Sequence, residues 1–295
     1  MMPEANSTPR QEAVSEIELE LLLEAIWRRY RYDFRSYSRN TLTRRLERAL
    51  QRLGCASLSQ LQHRLLHEPG IFNDVLGFLT LQVSEMFRDP AYFRALRETV
   101  VPHLKTFPSL KVWIAGCANG EEFYSLAILF REEGLEDRTI FYATDISPVA
   151  LRRAEAGIFE LDRIPQFTEN HRRSGGKSSL SDYYTAAYGA AVFDKSLRSR
   201  VVFAEHSLVS DAVFAEVQLV SCRNVLIYFE RELQDRALTL FRDSLVHGGF
   251  LGLGMKESLK FSKVGDHFSE FAKSERIYRR AAPYAVRKEC DLNVR

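Results

Sequence analysis

The sequence has few cysteines and no clustered pair of them. Four cysteines occur among 295 residues, which is too few for a disulfide framework, and their separations lack the paired spacing of a zinc site. We therefore expect reduced thiols. The seven histidines form no HExxH or comparable pattern, so no metal cofactor is expected. The cysteines are Cys55, Cys117, Cys222 and Cys290.

Long apolar runs and a strong charge imbalance are also missing. The longest apolar runs, such as 112–115 and 225–229, are far shorter than the roughly 20 residues of a membrane helix, so no membrane insertion is expected. Residues 1–18 are mainly acidic and small polar, whereas a secretion signal needs a basic flank and an apolar core. The net charge of +2 does not require nucleic acid as a partner. These features predict a cytoplasmic protein.

The first part of the chain has the pattern of a small helical domain. Residues 1–16 are polar and lack periodicity, which predicts a flexible N-terminus. Apolar residues then recur at helical spacing, and they predict an all-helical domain over residues 17–82. The expected helices cover residues 18–31, 41–53 with Gly54 as the stop, 58–66 and 71–81.

After Pro108 the pattern changes to short apolar strands that alternate with helices. This alternation predicts an α/β domain over residues 109–282, with a mainly parallel sheet and helices on both faces. Residues 83–108 are interpreted as a linker and 283–295 as a C-terminal tail. The stretch 171–200 breaks the alternation and is interpreted as an inserted subdomain. The expected strands cover residues 111–115, 140–144, 201–204, 217–221 and 250–254.

The first strand of this sheet runs into a glycine loop at Gly116 and then into a helix that starts with two acids. Glycine permits close approach of the backbone to a ligand, but the acids Glu121 and Glu122 repel phosphate. The loop therefore favours a cationic ligand such as S-adenosylmethionine (SAM) over a dinucleotide. A tight turn with acids that match the helix dipole is the alternative interpretation.

Two further strand ends carry polar residues. Asp145 closes the second strand 25 residues after Gly120, close to the spacing at which a carboxylate binds ribose hydroxyls. A simple cap of the helix 148–156 would explain Asp145 equally well. Residues 222–229, CRNVLIYF, place an Arg-Asn pair and a tyrosine after a buried strand, where core residues would be apolar.

These segments together resemble the CheR-type chemotaxis receptor glutamate O-methyltransferases. The resemblance covers about residues 18–280, in the order and approximate spacing of that family. It implies an N-terminal helical domain, a Rossmann-like SAM-dependent methyltransferase domain of the α/β class, and a small β subdomain inserted in the latter. The segments are SEMFRD (84–89), AGCANGEEFYSLA (115–127), ATDIS (143–147), SCRNVLIYF (221–229) and GGFLGLGMKES (248–258).

The resemblance also implies roles for individual residues. Arg88 and Tyr228 are expected to act on the reacting groups, with Asp145 on the ribose and Ser207 and Leu208 beside the adenine. The product of the cofactor would be S-adenosyl-L-homocysteine. The full set of expected SAM-binding residues is Ser84, Arg88, Gly116, Glu122, Asp145, Ser207, Leu208, Cys222, Arg223 and Asn224. A surface ion pair with Asp89 or a neighbour is the alternative interpretation of Arg88.

The partner implied by the resemblance is the helical cytoplasmic bundle of a methyl-accepting chemotaxis receptor. Four arginines on the helix 41–53 would form an exposed basic stripe that docks this bundle, and a merely solvated helix face is the alternative. These arginines are Arg44, Arg45, Arg48 and Arg52. Two functions compete with this one: a SAM-sensing module without turnover, and a nucleic-acid amino-methyltransferase. The second typically has a Pro-Pro-aromatic motif, and CRNVLIYF contains no proline. The insert either binds a receptor C-terminal peptide or has a structural role.

Overall fold

The computed structural model describes residues 14–80 and 84–281. The chain divides into two compact units, residues 1–81 and 82–295, close to the expected boundary after residue 82. Most of the expected flexible N-terminus and the tail 283–295 with Cys290 lie outside the described residues. The described cysteines, Cys55, Cys117 and Cys222, are buried free thiols, as expected.

The first unit consists of helices in its described part, which confirms the predicted helical domain. Helix α1 packs against α3, and α2 packs against α4. Gly54 ends α2 in the left-handed conformation, with φ of 66°, which glycine adopts without steric cost. At the start of α3, the Ser57 side chain accepts a hydrogen bond from Gln60 N and so caps the helix. The four helices are α1 (Val14–Tyr30), α2 (Arg39–Leu53), α3 (Leu58–His67) and α4 (Ile71–Leu79).

The second unit is built on a seven-stranded sheet in the order β6-β2-β1-β7-β8-β10-β9. The first five strands in this order pair in parallel, and β10 pairs antiparallel with both β8 and β9. All five strands predicted from the sequence are present. The strands are β1 (Leu110–Ala115), β2 (Thr139–Asp145), β6 (Val201–Glu205), β7 (Val217–Cys222), β8 (Leu245–Leu253), β9 (Phe268–Ala272) and β10 (Ile277–Arg280).

The segment expected to be a linker is part of the core of this unit. Residues 90–104 form a helical run whose apolar side chains, including Phe93 and Leu96, belong to the same buried cluster as Val112 of β1. Its hydrophobic residues are therefore needed for packing rather than for a tether. The run comprises α5 (Pro90–Ala95), a π-helical segment (Leu96–Val100) and α6 (Val101–Leu104). The later helices are α7 (Glu121–Glu132), α8 (Pro148–Ala156), α9 (Ile164–Arg173) and α10 (Arg231–Ser244).

The inserted subdomain is a three-stranded antiparallel sheet in the order β3-β5-β4. It begins earlier than the predicted residue 171, because β3 (Ile158–Glu160) precedes α9 in the chain. The other strands are β4 (Tyr184–Ala187) and β5 (Ala190–Phe193). The sequence 189–191 is weak strand material by propensity, yet β5 is the central strand, since pairing on both sides overrides intrinsic preference.

The insert is joined to α7 through one buried carboxylate. Glu132 accepts hydrogen bonds from His171 Nε2 at 3.0 Å, Ser178 Oγ at 2.8 Å and Tyr183 OH at 3.2 Å. Its second oxygen forms an ion pair with Arg97. Burial alone would raise the pKa of Glu132, but these hydrogen bonds and the Arg97 charge outweigh burial and lower it to about 2.

Candidate active site

The loop after β1 has a backbone that only a few residue types adopt easily. Gly116, Ala118 and Gly120 all have positive φ, at 75°, 50° and 95°. Gly116 N and Cys117 N both donate to the Thr144 carbonyl of β2, at 2.8 and 2.9 Å. A Cβ on Gly116 would lie 2.5 Å from Val225 Cγ2. Glycine is thus required here for close approach to the neighbouring loop of the protein itself, and not only to a ligand.

Asp145 fastens this loop to the end of β2. Its Oδ2 accepts a hydrogen bond from Ala118 N, and its Oδ1 accepts one from Ser147 N, both at 2.9 Å. Ser147 is the residue that caps α8, because its side chain accepts from Ala150 N. The alternative interpretation of Asp145 as the helix cap is therefore wrong.

The two acids that begin α7 face different partners. Glu121 is fully buried, and its Oε1 lies 2.9 Å from Arg163 Nη1. Its Oε2 has no hydrogen-bond partner among the described residues. Burial raises the pKa of Glu121. Glu122 accepts a hydrogen bond from Ser221 Oγ at 2.7 Å. Sequence reasoning chose only Glu122, although both acids are in the GEE motif.

Arg223 is buried, with its side chain 1% exposed, and it connects three segments. Its Nη2 lies 2.7 Å from Asp89 Oδ2 and donates to the Arg88 carbonyl at 2.8 Å. Its Nη1 lies 3.4 Å from Glu122 Oε2. The guanidinium also lies 4.1 Å from the centroid of the Tyr92 ring, a cation–π arrangement. Both Nη atoms of Arg223 therefore bind groups of the protein itself, while its buried Nε has no hydrogen-bond partner among the described residues.

Arg88 itself is partly exposed, and its guanidinium forms no ion pair within residues 14–80 and 84–281. Asp89, its partner in the alternative interpretation, is bound instead by Arg223. Among the described residues, Arg88 therefore forms no ion pair with Asp89 or with a neighbour. Ser84 lies nearby in the chain, and its carbonyl accepts a hydrogen bond from Arg163, the same arginine that pairs with Glu121.

Glu257 holds the loop that follows β7, and sequence reasoning did not find it. Its Oε2 accepts from Asn224 N at 3.0 Å and from Gly254 N, and its Oε1 accepts from Val225 N at 2.8 Å and Ile227 N at 3.3 Å. Burial raises the pKa of Glu257, and the backbone donors oppose that rise. Tyr228, half-buried in the 3-10 turn Leu226–Tyr228, follows directly.

The end of β6 adds the last of the expected residues. His206 N donates to the Asp145 carbonyl at 3.2 Å, which joins the two strand ends. Ser207 N then donates to Asp211 Oδ2 at 2.9 Å, and Leu208 is buried. The loops after β1, β2, β6 and β7 are therefore linked to one another by direct contacts at the carboxyl edge of the sheet, where ligands bind in open α/β sheets.

The predicted basic stripe lies in the first unit and needs one correction. Arg44, Arg48 and Arg52 are exposed, but Arg45 is 4% exposed and its guanidinium donates to the Leu79 carbonyl at the end of α4. Arg45 therefore belongs to the interior of the helical unit, where a cation at a helix C-terminus is favourable, and it is not part of an exposed surface.

Two family descriptions match the chain. Residues 82–277 match the description "CheR methyltransferase, SAM binding domain", and residues 17–80 match "CheR methyltransferase, all-alpha domain". The chain belongs to the CheR methyltransferase family. The predicted family, fold class and SAM cofactor are thereby confirmed, and this CheR-type enzyme carries out SAM-dependent methylation of chemotaxis receptors.

Similar proteins of this family cover most of the chain. A protein of Pseudomonas putida named "Putative methyltransferase Cher3" is 56% identical over 267 residues, which is 90% of this chain and 98% of that protein. A chemotaxis protein methyltransferase of Listeria innocua is 30% identical over 77% of this chain and 84% of its own. Chemotaxis protein methyltransferase 1 of Pseudomonas aeruginosa is 31% identical over 80% of this chain and 88% of its own.

Within the described part of this CheR-type chain, no helix has the length and apolarity that crossing a membrane requires.

Proposed function

We propose that this CheR-type enzyme transfers a methyl group to glutamate side chains in the helical cytoplasmic bundle of chemotaxis receptors and forms glutamate methyl esters. The observation that carries the proposal is the linkage of four loops at the carboxyl edge of the sheet, shown by the hydrogen bonds of Ala118 N with Asp145, His206 N with the Asp145 carbonyl, and Ser221 with Glu122. The linkage of Arg223 to Asp89 and the Arg88 carbonyl adds the segment that carries Arg88.

The residues at this edge fit SAM. The cofactor carries sulfonium and ammonium cations, and the buried Glu121 Oε2, without a partner among the described residues, is the kind of acceptor that a cation satisfies. We assign ribose recognition to Asp145. Because the side chains of Cys222 and Arg223 are buried, we assign their contacts to main-chain atoms. The remaining proposed SAM-binding residues are Ser84, Arg88, Gly116, Glu122, Ser207, Leu208 and Asn224.

When bound, SAM supplies an electrophilic methyl group on its sulfonium sulfur. A glutamate side chain has a reference pKa near 4.3 and is ionised at pH 7, so no residue of this chain has to remove a proton. The task of the protein is to hold the carboxylate oxygen against the methyl carbon, which is catalysis by proximity. The Arg88 guanidinium, without an ion pair among the described residues, can fork to a carboxylate, and Tyr228 can donate one hydrogen bond.

Labelled-methyl transfer from SAM to receptor cytoplasmic fragments tests this proposal. Wild-type enzyme should transfer label to the fragment, and mild base should release it as methanol, because esters are base-labile and N-methyl groups are not. A matched fragment with glutamine at the candidate glutamates is the control and should stay unlabelled. Base-stable label, or equal label on the glutamine fragment, would show that glutamate is not the acceptor.

We further propose that the exposed arginines Arg44, Arg48 and Arg52 dock the acidic receptor bundle. Reversing Arg44 and Arg48 to glutamate should raise KM for the receptor fragment and leave SAM affinity intact, since SAM binding is assigned to the other unit. The rise should shrink with added salt, because exposed charges are screened over about 8 Å at physiological ionic strength. The double variant Arg152→Glu/Arg153→Glu on α8, where both arginines are exposed, is the matched control. Wild-type KM at low salt in the α2 variant would contradict the docking role.

A further inference from the structure

The segment after β8 presents lysines and large apolar side chains to solvent. In residues 255–263, which we call the lysine loop, Lys256, Lys260 and Lys263 are exposed. Met255 is 46% exposed and Phe261 is 72% exposed. The acid of this loop, Glu257, is buried, so every charge that the loop exposes is positive. This combination of apolar and basic side chains suits an acidic amphipathic partner.

The lysine loop is anchored to the protein at several points. Leu259 is 5% exposed, and Lys263 N donates to Asp235 Oδ1 at 3.1 Å. The Arg231 guanidinium donates to the Phe261 carbonyl. Phe261 has φ of 66°, a conformation that costs free energy for a bulky residue, and its ring is still turned outward. The exposed side chains therefore project from a fixed support.

The lysine loop also adjoins the segment assigned to methyl transfer. Glu257 Oε1 accepts from Ile227 N at 3.3 Å, and Ile227 directly precedes Tyr228. Phe261 follows Glu257 by four residues, which span at most about 14 Å of chain. A helix rises 1.5 Å per residue, so about three turns of a substrate helix bridge such a distance. A glutamate bound near Tyr228 would thus carry its own helix across or beside the lysine loop.

We propose that the lysine loop binds the acidic, amphipathic receptor helix that carries the target glutamate, with the lysines facing its acids and Met255 and Phe261 its apolar positions. This inference rests on the proposed function. The two large apolar side chains favour such a helix over a nucleic acid, whose backbone would be met by charge alone. The lysine loop belongs to the methyltransferase unit, whereas the arginines of α2 belong to the first unit.

Two variants of the full chain test the inference. Lys256→Glu/Lys260→Glu and Phe261→Ser should each raise KM for a receptor fragment about tenfold or more at low salt, while SAM affinity by calorimetry changes less than twofold. Added salt should reduce the effect of the charge variant and not that of Phe261→Ser. The control is Lys111→Glu/Arg200→Glu. Lys111 and Arg200 are both exposed. They lie at the amino ends of β1 and β6, opposite the carboxyl edge where the site is proposed. The KM of this control should stay within twofold of wild type.

Direct binding separates this inference from the proposed function. Anisotropy of a labelled acidic receptor helix, without turnover, should show the same losses in the two lysine-loop variants. If wild type binds the helix and the two variants lose that binding, but no glutamate is methylated, the proposed function fails while the binding of the helix by the lysine loop stands. Unchanged KM and binding in both variants would overturn the inference. So would an equal loss in the control, or a loss confined to binding of a duplex nucleic acid.

Discussion

Replacing Glu257 by glutamine tests whether one buried carboxylate sets the shape of the loop 222–228. Each carboxylate oxygen accepts two backbone N–H groups, from Asn224 and Gly254 on one side and from Val225 and Ile227 on the other. Glutamine matches the size of glutamate, but it offers one carbonyl oxygen and an NH₂ group. The NH₂ group would face two backbone donors, so two hydrogen bonds must be lost.

The expected cost follows from those two donors. Leaving a buried donor unsatisfied costs about 1–3 kcal/mol, so the free energy of unfolding should fall by about 2–6 kcal/mol. For a unit of this size, about 2–4 °C per kcal/mol implies a Tm lower by at least about 4 °C. Turnover should fall about 10- to 100-fold at a temperature where the variant is still folded, because Tyr228 would be displaced from its position.

The assay combines thermal unfolding with methyl transfer and uses Glu270→Gln as its control. Glu270 is exposed on β9 and pairs with Lys273, so its substitution should change the free energy of unfolding by less than about 0.5 kcal/mol. A Glu257→Gln enzyme with wild-type Tm and kcat would refute the reasoning, since it would show that the loop keeps its shape without the carboxylate.

Three further outcomes are expected. Asp145→Ala should weaken SAM binding about 5- to 150-fold, the equivalent of about 1–3 kcal/mol, as measured by calorimetry; unchanged affinity in a folded variant would limit Asp145 to its backbone hydrogen bonds. Tyr228→Phe should lower kcat more than SAM affinity, and equal kcat would remove its hydroxyl from the chemistry. Glu132→Gln should reduce the free energy of unfolding by about 3–5 kcal/mol at pH 7. Because the pKa of Glu132 in the folded protein is about 2, below its unfolded value, its stabilisation is present above about pH 5 and declines towards pH 2. The free energies of unfolding of the wild type and of Glu132→Gln should therefore converge as the pH falls towards 2. A difference that stays constant with pH would contradict the low pKa of Glu132.

The five predicted strands were predictable because each contains a short apolar run between turn residues, as in 112–115 of β1, although the edge strand β6 is only partly buried. The position of Asp145 at the end of β2 was predictable for a related reason, since the second predicted strand ends directly before it. By contrast, β3 has only three residues, too few for a strand pattern in the sequence, and it exists because it pairs with β5. Strands β9 and β10 were missed. They are the last two strands of the sheet order and pair antiparallel, so they lie outside the strand-helix alternation on which the prediction rested.

The helical spacing of α2 indicated that Arg45 is buried, but its charge led to the prediction that it is exposed. Leu42, Arg45, Leu46 and Ala49 follow i, i+3, i+4 and i+7 spacing, and all four are buried, which is the core face of an amphipathic helix. The charge of Arg45 suggested exposure, but a carbonyl of α4 accepts its hydrogen bond. Glu257 had no comparable local signal, because its partners are backbone groups up to 33 residues away in the chain.

The buried Arg223 limits which substitutions can accumulate at three positions as the sequence of this enzyme evolves. Its guanidinium faces two carboxylates, those of Asp89 and Glu122, from segments that are far apart in the chain. Losing the arginine alone would leave the Glu122 side chain, 13% exposed, without its cation, and losing one partner of a largely buried ion pair costs about 3–5 kcal/mol out of a total stability of about 5–15 kcal/mol. The Asp89 side chain is 35% exposed, so solvent screens its charge and its pair with Arg223 contributes less. Descendants that change one of the three positions should therefore carry compensating changes at the others, so that the trio is inherited as a unit.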